Sequence, residues 1–236
     1  MHLSNKHVVI CVPIVATHKE EIIEDVKTCV NMHVACIEWR MDYFEQVGSI
    51  DAVLQVLQTM RTYLKDTMLI ATFRTIEEGG EMAISEQDYV ALLQTIDQSG
   101  LVDYIDVEGY SKPQVYEQLK KQAKTNYIVS YHNFTCIPNN LYDILTALKS
   151  LDANVVKVAC MPQTEQDVEA LKQVIDRFVN EYDGLLIAIA MGALGVETRL
   201  DPLHYHSCLT FASLNKTSAP GQLSYEEFKK KVGYLQ

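Results

Sequence analysis

Eight short runs rich in apolar and β-branched residues recur along the chain, and stretches with helical spacing separate most of them. The runs are VVICVPI (8–14), VACIEW (34–39), MLIATF (68–73), VDYIDV (102–107), NYIVSY (126–131), NVVKVA (154–159), GLLIAIA (184–190) and SCLTFA (207–212). Most are apolar on successive residues, the pattern of strands covered on both faces. Between them, 19–32, 49–64, 85–100 and 164–179 carry apolar residues at three- and four-residue steps. In the last, Val168, Leu171, Val174, Ile175 and Phe178 share one face. Ser85 and Thr164 stand at N-cap positions before acidic first turns, and Gly100 stands at a C-cap. Alternation of strand and helix implies a parallel sheet covered by helices. Eight units in 236 residues favour closure into a (β/α)8 barrel, the TIM-barrel form of the α/β class, over an open doubly wound sheet. No G-x-G-x-x-G or P-loop sequence supports a nucleotide-binding open sheet. With no linker, repeat or low-complexity segment, residues 1–236 read as a single domain.

Composition narrows the partners. Hydrophobic residues make up 48% and charged residues 22%, ordinary for a globular protein. The net charge of −11 sets up a field that repels phosphate backbones, and no basic stripe overrides it, so nucleic acid is not an expected partner. An anionic substrate would need arginines that reverse this field locally. Six cysteines, at 11, 29, 36, 136, 160 and 208, lie mostly in apolar runs without a C-x-x-C pair. They read as buried, reduced thiols of a cytoplasmic protein. The N-terminus lacks a leader pattern, and no run approaches the roughly 18 apolar residues of a membrane span.

In a barrel of this kind, catalytic groups cluster at the C-terminal ends of the strands. The second run ends in Glu38-Trp39-Arg40, the third leads to Arg74, the fourth carries Asp106 and Glu108, the fifth runs into His132 and the sixth holds Lys157. Lys157 has only small or hydrophobic neighbours for three positions either way. Apolar surroundings favour the neutral amine, the form that attacks a carbonyl carbon to make a Schiff base. The fifth and sixth strands are neighbours in a barrel, so His132 can share a substrate with Lys157 and move protons at the carbon next to an iminium. His204 and His206 form an H-x-H pair with no third ligand at useful spacing, and no metal is expected there. Met161, Met191 and Trp39 read as packing residues. RTIEEGGE (74–81) and TSAPGQ (217–222) read as loops at the site, one with Glu77, Glu78 and Glu81, the other with Ser218 and Gln222.

The ordered set EWRMDYFE, TFRTIEEGGE, DYIDVE, SYHNF, VKVACMP, MGALGVETR and SAPGQ, spread over residues 8–223, resembles the type I 3-dehydroquinate dehydratases of the shikimate pathway. The resemblance implies a (β/α)8 barrel, commonly a homodimer, that removes water from 3-dehydroquinate to give 3-dehydroshikimate without a metal or other cofactor. It implies Lys157 as the Schiff-base lysine, His132 as the general acid/base and Glu78 as the residue that orients the histidine. Glu38, Arg40, Arg74, Arg199, Ser218 and Gln222 would hold the substrate's carboxylate and hydroxyls. Arg199 is the choice for the carboxylate, because a guanidinium binds one through two parallel hydrogen bonds.

Four departures stand out. Asn133 replaces the aspartate that commonly follows the histidine, Thr198-Arg199 replaces a Ser-Arg pair, and His206 stands where glycine is usual in a Phe-Gly-Ser segment. The first strand begins so early that the β-hairpin plug of some members is expected to be absent. Another Schiff-base barrel, a class I aldolase, shares the lysine chemistry. The arginines and the SAPGQ segment fit a carboxylated ring better than a sugar phosphate. A non-catalytic barrel is disfavoured by the presence of both Lys157 and His132.

Overall fold

The strands that the apolar runs imply assemble side by side, each joined to the next through a helix. The computed structural model describes residues 3–214 and 217–231. Of the predicted domain 1–236, residues 1, 2, 215, 216 and 232–236 lie outside the described residues. In chain order the elements are β1 (Val9–Ile14), α1 (Lys19–Asn31), β2 (Cys36–Arg40), α2 (Ile50–Tyr63), β3 (Met68–Thr72), α3 (Glu86–Ser99), β4 (Tyr104–Val107) and α4 (Pro113–Lys120). They continue with β5 (Asn126–Asn133), α5 (Leu141–Ser150), β6 (Val155–Cys160), α6 (Glu165–Val179), β7 (Leu185–Ala190), α7 (Val196–Leu200), β8 (Leu209–Phe211) and α8 (Tyr225–Lys231). All pairings between named strands are parallel, in the order β7-β6-β5-β4-β3-β2-β1-β8. This is the predicted (β/α)8 barrel. The β7–β8 seam carries a parallel bridge between Leu186 and Ser207. There the Ser207 hydroxyl stands in for a strand, accepting from Ala188 N at 2.9 Å and donating to Ala188 O at 3.2 Å.

Successive strand side chains face opposite ways, so each strand feeds two apolar layers. Val156, Val158 and Cys160 of β6 pack outward in the shell beneath the helices, while Val155 and Ala159 face the barrel interior. Lys157 shares their parity and therefore points inward. The interior floor is apolar, built from Val9, Cys36, Met68, Tyr104, Ile128 and Val155 with Leu3 against them. Leu3 precedes a single antiparallel bridge, Ser4 with His7, which stands in place of a full N-terminal hairpin among the described residues. No helix among the described residues is long and apolar enough to cross a membrane.

Local chemistry sets the helix ends. Ser85 Oγ accepts from Asp88 N at 3.1 Å, and Thr164 and Asp167 form a reciprocal capping box. Each such cap stabilises its helix by about 1 kcal/mol. Gly100 closes α3 in the left-handed region at φ 66°. His206 adopts φ 55°, which explains why glycine is usual at this position in the family that the chain resembles. A side chain there costs about 1–2 kcal/mol. The His206 ring hydrogen-bonds Asp176 Oδ1 at 3.0 Å, and His204 sets its ring edge-on to Tyr205. The six cysteines are free, and Cys136 departs from the expected burial by being exposed.

Candidate active site

Above the apolar floor the inward positions become polar. Glu38 and Arg40 (β2), Thr72 (β3), Asp106 (β4), Ser130 and His132 (β5) and Lys157 (β6) follow at alternate strand positions, and register sets Ser130 opposite Lys157. A cavity of about 460 Å³ opens over them at the C-terminal strand ends. All nine site residues expected from the sequence line it: Glu38, Arg40, Arg74, Glu78, His132, Lys157, Arg199, Ser218 and Gln222. Phe134, Ala159, Ile189, Met191 and Phe211 supply its apolar wall, where Met191 packs in the inner cluster as expected.

Lys157 does not sit in a purely apolar shell, as its sequence neighbours suggest. Its Nζ lies 2.8 Å from Asp106 Oδ2, 3.8 Å from Glu38 Oε1 and 4.8 Å from the centre of the Phe211 ring. Asp106 divides its two oxygens: Oδ2 faces the lysine, while Oδ1 accepts from Arg74 Nη2 and Ser130 Oγ, each at 2.6 Å. Burial alone would raise the Asp106 carboxyl, but Arg74 and Lys157 hold it well below the usual carboxylate range.

The loop after β3 delivers Glu78. Gly79 turns at φ 83° with Phe134 where a Cβ would stand, and a Cβ on Gly80 would lie 1.9 Å from Arg74 O, so the loop is tight enough to require both glycines. Of the three acids in this loop only Glu78 turns inward and is buried; Glu77 and Glu81 remain outside. Glu78 Oε2 lies 3.0 Å from His132 Nδ1 and accepts from His132 N at 3.1 Å. Burial lifts Glu78 to about 7, with Arg74 opposing and Glu108 adding to the rise. Burial, then the charges of Arg74 and Lys157, push His132 well below its ordinary value, which favours the neutral imidazole. With Glu78 ionised, Nδ1–H donates to it and Nε2 keeps its lone pair. Asn133, the next residue, faces away: Oδ1 accepts from Thr135 N, Thr135 Oγ1 and Cys136 N, and Nδ2 donates to Tyr131 Oη. A carboxylate at 133 would not reach the ring from that face.

The three arginines are not equivalent. Arg40 is held bidentately by Asp42 (2.8 and 2.7 Å), leaving Nη1 to donate to Ser218 O at 3.5 Å. Arg74 is ringed by Asp106, Glu108 and Glu78 at 2.6, 3.5 and 3.6 Å. Arg199, in α7, is buried with no carboxylate partner among the described residues. Its Nη2 donates to Pro220 O at 3.3 Å, its Nε has no hydrogen-bond partner among the described residues, and burial pushes it down to about 10. Ser218 and Gln222 bond each other: Gln222 Oε1 accepts from Ser218 N at 2.8 Å and Nε2 donates to Ser218 Oγ at 3.0 Å. Gly221, at φ 80°, lets this loop rest on the Gly192 carbonyl.

Four supporting residues escaped the sequence reading. Asp42 is fully buried and also accepts from Arg74 N and Glu81 N, tying β2 to the β3 loop. Its signal was a carboxylate two residues after Arg40. Ser130 shares a face with His132 by strand alternation. Thr72, whose Oγ1 donates to Glu38 Oε1 at 2.8 Å, shares a strand end with Arg74. Ser111, which donates to Glu78 Oε1 at 2.7 Å, lies in a turn with no local signal.

A family model described as type I 3-dehydroquinase matches residues 10–236. The 3-dehydroquinate dehydratase of Clostridioides difficile strain 630 is 37% identical over 234 residues, covering 96% of this chain and 91% of that protein. That of Shouchella clausii is 35% identical over 227 residues, covering 93% and 88%. Among solved structures, the type I enzyme of Clostridium difficile with covalently modified comenic acid superposes with a TM-score of 0.93 at 34% identity, over 100% of this chain and 95% of that one. The 3-dehydroquinate dehydratase of Geobacillus kaustophilus gives a TM-score of 0.92 at 27% identity, over 98% and 92%. With a matching family model over nearly the whole chain and relatives above 30% identity, the chain belongs to the type I 3-dehydroquinases, a family of hydro-lyases.

Proposed function

We propose that this chain dehydrates 3-dehydroquinate to 3-dehydroshikimate through a Schiff base on Lys157, with His132 as general acid/base. One observation carries the reading: the Lys157 amine, the His132 imidazole and the buried Arg199 guanidinium, which has no carboxylate partner among the described residues, line one cavity. Lys157 adds to the ketone carbon, and loss of water gives an iminium. The iminium accepts the electron pair released when His132 Nε2 takes a proton from the adjacent carbon. The resulting enamine expels the hydroxyl on the following carbon, and the protonated His132 returns its proton so that it leaves as water. Hydrolysis of the imine consumes the water released when it formed, so one water is lost overall. Positioning and local acid/base chemistry supply the acceleration. Glu38, Arg40, Arg74, Ser218 and Gln222 bind and orient the substrate's polar groups, and Arg199 takes its carboxylate.

Incubation with 3-dehydroquinate and borohydride is expected to attach the reduced substrate irreversibly to the peptide containing Lys157. Mass spectrometry reads the result. Labelling elsewhere, or none while product still forms, would overturn the Schiff-base assignment.

Arg199→Ala is expected to raise KM by about 30-fold or more with a smaller change in kcat, since a buried charged pair is worth about 2–5 kcal/mol. Unchanged affinity in steady-state kinetics would move the carboxylate to another group. The reading extends to a single-domain homodimer acting in the cytoplasm on the shikimate pathway. Five buried free thiols support a reducing compartment.

A further inference from the structure

We propose that Ser111, in the turn between β4 and α4, is a positioning residue that holds Glu78 as the ionised acceptor of His132 and so decides which imidazole nitrogen is free to take a proton. The inference rests on the dehydration reading above and adds a residue to its machinery. Glu78 Oε2 is occupied by His132 N and Nδ1, with Arg74 Nη1 at 3.6 Å. Oε1 has one close donor, Ser111 Oγ at 2.7 Å, a length typical of a hydroxyl donating to a carboxylate. The other acceptor near that hydroxyl, Glu108 O, is 3.5 Å away, so the proton of Ser111 has a single good acceptor.

The charged groups near Glu78 come from several elements. Arg74 approaches from just beyond β3, Asp106 from β4, Glu108 from just after β4 with Lys112 against it, and His132 from β5, while Lys157 of β6 acts on the His132 ring and Glu77 on the same turn is exposed. Burial and Glu108 favour the protonated carboxyl; Arg74 and the Ser111 hydroxyl favour the carboxylate. Near neutral pH the balance is close, so one hydrogen bond shifts it. When Glu78 protonates, its O–H faces Nδ1, which turns acceptor. The imidazole proton then resides on Nε2, and the base is lost.

The sign follows directly. Activity falls as pH drops through the Glu78 value near 7, and removing the Ser111 donor moves that acid limb upward. Ser111→Ala is expected to shift the acid limb of kcat up by about one pH unit, so that kcat on the acid side falls about tenfold and converges with the unmodified chain at high pH. Ser111→Thr keeps the hydroxyl and is expected to keep the original limb. Nitrogen-15 spectra of the imidazole, recorded without substrate, are expected to show the loss of the Nδ1–H tautomer at a midpoint that moves by the same amount in the alanine variant. A uniform loss of kcat at every pH, or an unmoved limb with an unmoved tautomer midpoint, would overturn the proposal. If the unmodified chain turned over no 3-dehydroquinate, the dehydration reading would fail by itself, because the tautomer midpoint still tests Ser111.

Discussion

His132→Ala is expected to lower kcat for dehydration by about 10²- to 10⁴-fold while leaving the barrel folded, the span over which a positioned acid/base group contributes. The ring lines the cavity at the C-terminal mouth of β5 and hydrogen-bonds Glu78, so its removal enlarges an existing cavity instead of opening a new one in the apolar shell. Glu78 would keep the bonds from Ser111 and the His132 backbone N–H, neither of which depends on the ring. Lys157 has its own partners in Asp106 and Glu38, so borohydride is expected still to trap substrate in the variant. Loss of turnover with retained trapping and an unchanged circular dichroism spectrum is the pattern that separates proton transfer from folding. Turnover near that of the unmodified chain would remove His132 from the acid/base role.

Much of the fold was legible because the apolar runs and their caps are local. The predicted helix 164–179 corresponds to α6 with its Thr164–Asp167 capping box, and 85–100 to α3 with its Ser85 cap and Gly100 stop. The eighth run, 207–212, shortens to Leu209–Phe211 because Ser207 makes its sheet contact through a hydroxyl and a single bridge. Polar strand ends marked the site for the same local reason.

What the sequence did not display is register. In a strand covered on both faces, an inward Lys157 and its outward valine neighbours read as one apolar run, so the ammonium seemed to lack a counter-ion. Its partner, Asp106, is 51 positions away and meets it over the intervening strand β5. The same blindness made Asn133 look relevant to the imidazole, though strand alternation turns it away, and hid Ser111, whose hydroxyl is brought to Glu78 by a turn 33 residues distant. Position in the fold also separates Arg199, on α7, from Arg40 and Arg74, which carry internal carboxylate partners. Only the folded barrel shows that Arg199 alone of the three has no carboxylate partner among the described residues.

Arg74→Met is expected to destabilise the protein by about 3–5 kcal/mol, because removing one member of a buried charge cluster leaves the others uncompensated. Arg74 is 3% exposed and bridges Asp106, Glu108 and Glu78. Methionine retains an unbranched apolar stem, so the deficit is chiefly electrostatic, and its pH dependence identifies it. The Glu78 value in the folded state, about 7, is above that of an unfolded glutamate. Such a group lowers stability as pH rises from the unfolded value through the folded one. Without Arg74 the folded value rises further, and the penalty grows on the alkaline side. Asp106 moves in the same direction: its depressed folded value supplies stability above the unfolded carboxylate range, and that contribution shrinks when Arg74 no longer faces it. The loss in Tm is therefore expected to be larger at pH 8 than at pH 5, amounting to about 6–20 °C where the full deficit is present. Thermal unfolding of both chains at the two pH values checks it. An equal loss at both would assign Arg74 a packing role instead.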